Sequence, residues 1–204
     1  MKPNWLTLDD IADVRAYERE REAFRARVIE LKKIRRVSVG PVVTLVFENR
    51  DTIRFQIQEM ARVERLLSDE ALQVELDTYN PLIPGPGELS ASLYIELTSR
   101  TEMEHWLPRL VGIERSVTLR LDAGTGSNGS AEVVRCLVEE SHASHLTREQ
   151  VTAAVHFVRF ELTFAQIERF RSGEVVLAID HPEYNESTVL TPDTRSTLLG
   201  DLLG

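Results

Sequence analysis

Apolar and polar positions alternate along this chain in stretches that read as helix and strand from one end to the other. Thr7-Leu8-Asp9-Asp10 has the character of a capped helical start. From about Ala16 to Arg36, the residues Tyr17, Phe24, Val28, Leu31 and Ile34 fall on one face of a helix whose other faces are densely charged. Two strand-like runs, VSV and VVTLVFE, lie on either side of a Gly40-Pro41 turn. A helix is expected from about Thr52 to Leu67, capped by Asn49 or Asp51 and buried along Ile53, Ile57, Met60 and Leu67. Ser68-Asp69-Glu70 opens a further helix ending near Tyr79. Three prolines and two glycines keep residues 80–87 out of regular structure, but Leu82 and Ile83 call for burial, so this is an ordered loop and not a linker.

Leu89 to Thr98 alternates as a strand, with Leu93, Ile95 and Leu97 on one face and Tyr94 on the other. A short helix at about 101–110 and strands at 113–121, 131–138 and 151–162 are expected next. Thr163 caps a helix over 164–171, with Gly173 in the usual C-terminal glycine position. Val175 to Ile179 reads as a strand, and Pro192-Asp193 opens a last helix carrying Leu198, Leu199, Leu202 and Leu203. Strands joined through short turns point to an α+β fold: a mostly antiparallel sheet with helices packed on it, in a single compact domain over 1–204.

Composition narrows the classes. The chain has 204 residues, 42% hydrophobic, enough for one sizeable core. Its start, MKPNWLTLDDIADV, lacks the apolar run of a secretory peptide, and its longest apolar stretches, such as VVTLVF at 42–47, are strand-sized. One cysteine, Cys136, excludes an internal disulfide framework and a CxxC knuckle; its setting in AEVVRCLV is that of a packing residue. These features suggest a cytoplasmic protein without a membrane partner. A net charge of −9 argues against non-specific nucleic-acid binding, although residues 1–40 carry ten Lys/Arg against seven Asp/Glu. The cluster Lys32, Lys33, Arg35, Arg36 is read as cations opposing the negative end of a helix.

Several residue groups are candidates for chemistry. Gly124 to Gly129 matches G-x-G-x-x-G, but a strand follows where a dinucleotide site needs a helix, so it reads as a hairpin loop. His142-Ala143-Ser144-His145, behind Glu139 and Glu140, has a feasible ligand spacing but the composition of an exposed loop. His156 shares a strand face with Val158, Phe160 and Leu162, as a hydrogen-bonded core residue or a ligand; Phe157, Arg159 and Glu161 take the other face. His181 lies at a strand end, where site residues are common. The densest polar group surrounds one strand-to-helix junction: Glu48, Arg50, Asp51, Arg54, Gln58, Glu59, Arg62 and Glu64. Arg54, Gln58 and Arg62 fall at i, i+4 and i+8, a stripe suited to an anionic ligand, a partner surface or solvent.

The candidates for ligand or partner contact are therefore Glu48, Arg50, Arg54, Gln58, Arg62 and Arg159. A divalent first-row metal would draw on Glu59, Glu64, His156, Glu161 and His181. The linking expectation is that His156 or His181 comes within reach of 48–64.

The segments FENRDTIRFQIQEMARVER (47–65), ELDTYNPLIP (75–84), AVHFVRFEL (154–162) and IDHPEY (179–184), with RRVSVG at 35–40, resemble a bacterial family known as domain of unknown function 3501. The resemblance implies no catalytic residues. It implies a setting near rubrerythrin-like proteins and iron–sulfur oxidoreductases, hence non-haem iron or redox metabolism. Three readings follow: an accessory or binding protein for such a system, partnered by a redox or iron protein; a metal-dependent enzyme using His156 and His181 with carboxylates; or an oligomeric structural module, a homo-oligomer.

Overall fold

The computed structural model describes residues 4–122, 131–138 and 151–204. Alternating strands supply its frame. β1 (Arg36–Val39) and β2 (Val43–Phe47) form a hairpin; β2 pairs with β3 (Glu88–Ile95), β3 with β7 (Val155–Glu161), and β7 with β6 (Leu137–Val138), all antiparallel. A second antiparallel sheet runs β5 (Glu132–Arg135), β4 (Val117–Leu121), β8 (Val175–His181), β9 (Tyr184–Val189). The inward positions of both sheets, among them Leu45, Phe47, Leu93 and Phe160 from one and Leu119, Leu121, Leu177 and Ile179 from the other, fill one core. The result is the expected α+β architecture in a single compact domain, with its strands divided between two facing sheets.

The sheets also meet at their edges. β5 and β6 are consecutive pieces of one chain, separated at Cys136, so the edge of one sheet continues into the edge of the other. At the opposite edge Tyr184 Oη donates to the Val39 carbonyl (2.7 Å), and Thr188 Oγ1 donates to the Ser38 carbonyl (2.7 Å). A Cβ on Gly40 would lie 2.5 Å from both Tyr184 Oη and Glu186 Cγ, and its φ is +73°; only glycine lets this turn touch β9. Exposed sheet edges are thereby reduced.

Helices cover what remains. α1 (Val14–Arg35), α2 (Arg50–Glu64) and α3 (Asp69–Tyr79) form a layer beside the outer face of the first sheet, where Phe157 of β7 joins Ile53, Ile57, Leu76 and Leu82. α4 (Arg100–Trp106) is short. α5 (Phe164–Ser172) and α6 (Pro192–Leu203) add Ile167, Phe170, Leu198 and Leu202 to the central core. α6 is tied to α1 by Arg35, 3% exposed, whose guanidinium holds Asp201 with two bonds of 2.7 and 2.9 Å.

Some local expectations change. The α2 stripe stops before Leu67, which is 86% exposed, because Arg65 turns left-handed (φ +55°) and ends the helix. Ile34 is likewise exposed at the end of α1. The strand expected from 113 begins at Val117, after a 3-10 turn at Ile113–Arg115 that follows the left-handed Gly112. The run 131–138 is two strands, broken where the Cys136 amide bonds to the Val117 carbonyl. β8 extends to His181 and turns directly into β9, a strand whose polar Tyr-Asn-Glu-Ser-Thr run masks it in the sequence. Gly173 is not left-handed (φ −104°). Its Cβ would meet the Asp122 carbonyl oxygen at 2.5 Å, so glycine serves close approach there and not helix reversal. The 124–129 glycine run and the His142–His145 segment lie outside the described residues.

Candidate functional site

The polar junction at 48–64 separates into two faces with different work. Asn49 caps α2 by accepting from the Thr52 amide at 3.0 Å, while Thr52 Oγ1 accepts from the Asn49 amide at 2.9 Å. From that start, Arg50, Arg54, Gln58 and Arg62 point toward the N-terminal segment and α1. Arg50 Nη2 binds Asp10 at 2.5 Å, and Arg54 Nε donates to the Asp10 carbonyl at 2.8 Å. Gln58, 1% exposed, accepts from the Ala12 amide (2.7 Å) and donates to the Ala12 carbonyl (3.0 Å). Glu59 accepts two bonds from Arg21 (2.8 and 2.9 Å) and one from the Tyr17 hydroxyl (2.6 Å). The Arg21 guanidinium, seconded by Tyr17, holds the Glu59 carboxyl down at about 2, and burial, reinforced by Glu59, pushes the Tyr17 phenol up. Arg62 sits 3.5 Å from both Glu59 and Glu18. The stripe expected to meet a ligand or partner is therefore a seam that fastens the chain's first segment to α2.

The opposite face of the same junction lines a cleft of about 330 Å³ between the first sheet and the helical layer. Strand alternation explains its floor. Val43, Leu45 and Phe47 face the core, so Thr44, Val46 and Glu48 face the helices; likewise Leu89, Ala91 and Leu93 face inward while Ser90, Ser92 and Tyr94 face the helices. Glu48, 5% exposed, extends the β2–β3 ladder through its amide, which bonds to the Ser90 carbonyl at 2.7 Å. Its Oε1 accepts from Ser92 Oγ at 2.6 Å; among the described residues no donor reaches Oε2, which is open to the cleft. No described Lys or Arg lies within ion-pair distance of this carboxylate. Burial, with the charge of Glu48, pushes the Tyr94 phenol up. Thr52 and Gln56 bring the next two turns of α2 into the lining, and Ile53, Leu82 and Phe157 supply apolar walls. Lys32 of α1 also lines the cleft; its ammonium stands 6.0 Å from the Phe55 ring centroid.

Of the six residues expected at a ligand or partner, Glu48 is the one that lines this cleft. Arg159 is instead a strut. It donates to Glu88 Oε2 at 3.0 Å and to the Pro81 carbonyl, pinning the proline loop to β7.

The expected metal set does not assemble. His156 pairs in register with Leu93 and faces the inter-sheet core, opposite to Phe157 and the cleft. Its Nε2 contacts Thr152 Oγ1 (2.8 Å) and donates to the Ala153 carbonyl (3.0 Å), and Nδ1 stands 3.9 Å from Glu114 Oε2. Burial pushes this imidazole below its ordinary value, against the opposing pull of Glu114. His181 Nε2 donates to the Val111 carbonyl (3.1 Å), and its Nδ1 accepts from the Glu183 amide (3.2 Å). Glu64 lies near Glu75, whose carboxyl is pushed up by burial and then by Glu64; Glu161 is exposed at the end of β7, opposite Glu88. Neither histidine has a partner in 48–64, and among the described residues no three His, Cys, Asp or Glu side chains converge as a metal site. The cause is strand parity: a one-residue step along β7 carries a side chain to the other side of the sheet. Cys136 is a packing residue, its thiol pushed up to about 11 chiefly by burial and its Sγ donating to the Glu114 carbonyl.

The cleft residues left a fainter mark in the sequence. Thr52 and Gln56 step by four, as Arg54, Gln58 and Arg62 do, but on the far side of the helix, and Glu48 stands just ahead of its cap. Ser90, Ser92 and Tyr94 alternate with an apolar set on a strand too apolar for an edge.

The comparisons agree with this architecture. A crystal structure of a protein of unknown function from Burkholderia pseudomallei K96243 is 38% identical to this chain, over 97% of this chain and 98% of that one, with a TM-score of 0.85. No curated protein matches the chain. No helix among the described residues is long and apolar enough to cross a membrane. The model of a family described as protein of unknown function (DUF3501) matches residues 5–202, and the chain belongs to that family.

Proposed function

We propose that the protein binds a small organic molecule in the cleft between the first sheet and the helical layer, and that it works as an accessory or binding protein. The observation that carries this reading is Glu48, a carboxylate 5% exposed whose Oε2 opens into the cleft without a cation beside it among the described residues. A buried charge is costly unless it is paired. A ligand offering a donor to Oε2 would supply the missing partner. The cleft, at about 330 Å³, falls at the lower end of the range for small-molecule sites, and it has the usual mixture of apolar wall and few polar groups. The family resemblance sets such a protein in non-haem iron or redox metabolism, with a redox or iron protein as partner.

Thermal unfolding in a panel of amines, amino acids, carboxylic acids and sugars tests the reading. At a hundredfold excess over Kd, a ligand stabilises by about 2.7 kcal/mol, a rise of roughly 5–11 °C for a domain of this size. At least one compound should give such a rise in the wild type, and both Glu48→Gln and the cleft-filling Gln56→Trp should abolish it. A panel without effect on the wild type, or a rise surviving in both variants, would refute the proposal.

A further inference from the structure

The cleft lining carries charges of both signs. Lys32 comes from α1 and Glu48 from the end of β2, both line the same space, and neither is in an ion pair among the described residues. Three other charges of this helical layer are joined to a partner of opposite sign: Arg21 to Glu59, Arg50 to Asp10, Arg35 to Asp201. A carboxylate and a lysine that line one cavity without an ion pair between them are complementary to a molecule with the reverse arrangement, the flexible Lys32 side chain reaching it from beside Phe55. Ile53, Leu82, Val155 and Phe157 supply an apolar part of the same lining. At liquid density the volume accommodates about ten non-hydrogen atoms, taking about 30 Å³ for each water-sized unit.

Resting on the cleft reading above, we propose that the ligand class is a small zwitterion of amino-acid type with an apolar side chain. Its ammonium donates to Glu48 Oε2, its carboxylate meets the Lys32 ammonium, and its side chain lies against Leu82 and Phe157. The Ser92 hydroxyl, by holding Oε1, fixes which lone pairs of Glu48 face the ligand. Tyr94 lines the same floor.

Calorimetric titration with three probes of one shape separates the parts: leucine, 3-methylbutylamine, which lacks the carboxylate, and 4-methylpentanoate, which lacks the amine. Leucine should bind most tightly, and 4-methylpentanoate about ten- to hundredfold more weakly, the worth of a charge-assisted hydrogen bond. Glu48→Gln should weaken leucine and 3-methylbutylamine by a similar factor. Lys32→Met should weaken leucine while leaving 3-methylbutylamine as tight or tighter. Lys32 is only half-buried, so its variant keeps the test readable if Glu48→Gln fails to fold. Equal binding of 4-methylpentanoate and leucine, or leucine affinity indifferent to Lys32→Met, overturns the zwitterion. So does a panel in which only compounds without an amine raise the melting temperature; if Gln56→Trp abolishes that rise, the cleft reading survives and the zwitterion alone falls.

Discussion

Gln58→Met decides what the polar stripe of α2 is for. Methionine nearly matches glutamine in volume, so the pocket beneath residues 10–13 stays filled, while both bonds to the Ala12 backbone (2.7 and 3.0 Å) are lost. Ala12 is half-buried, so its freed amide and carbonyl recover only part of their hydration. Each loss is worth about 1 kcal/mol, giving about 2 kcal/mol in all. The effect is concentrated, because the same arm buries Leu6 and Ile11 and is held at Leu6 by Asn80 through bonds of 2.8 and 2.9 Å. Urea unfolding should show the midpoint falling by the equivalent of about 2 kcal/mol, a melting temperature roughly 4–8 °C lower, and amide exchange at Ala12 faster by about thirtyfold. If Gln58 faced a ligand instead, the free protein would scarcely notice its loss. A change below about 0.5 kcal/mol with Ala12 exchange unaltered would refute the seam.

Gly173→Ala should destabilise by about 1–3 kcal/mol although its φ is negative, because the new Cβ would be driven against the Asp122 carbonyl; a neutral result in thermal melts would contradict the close approach. Asp201→Asn strands the buried Arg35 charge and should cost about 3–5 kcal/mol, measurable by urea denaturation, whereas an effect under 1 kcal/mol would mean that Arg35 finds another partner. The His156 imidazole is held below its ordinary value in the fold, so as pH drops the unfolded chain takes up this proton first. Stability should then fall from pH 7 toward pH 5, and His156→Gln should flatten that slope; an identical slope in the variant would show that other groups set it.

What the amino-acid order determines by itself here is local. Asn49, Ser68, Thr163 and Pro192 mark helix starts because capping and proline geometry depend only on near neighbours, and the structure has helices beginning at Arg50, Asp69, Phe164 and Pro192. The alternation in 43–47, 88–95 and 155–161 likewise determines which residues share a face. It cannot say what covers that face. Ser90, Ser92 and Tyr94 read as an outer, wetted side until three helices from distant parts of the chain close over them. Glu48, which counts in sequence as one of eight polar residues at a junction, becomes a buried carboxylate only through that cover. The same long-range packing reassigns Arg54 and Gln58 to the chain's own first segment, some 40 residues away in sequence, and sends His156 to the side of the sheet away from them. β9 carries no apolar alternation because an edge strand can be polar on both faces, and only its pairing with β8 makes it a strand. Contacts between residues far apart in sequence leave no local period to read, and they are what places a charge in a cleft, in a seam or in a core.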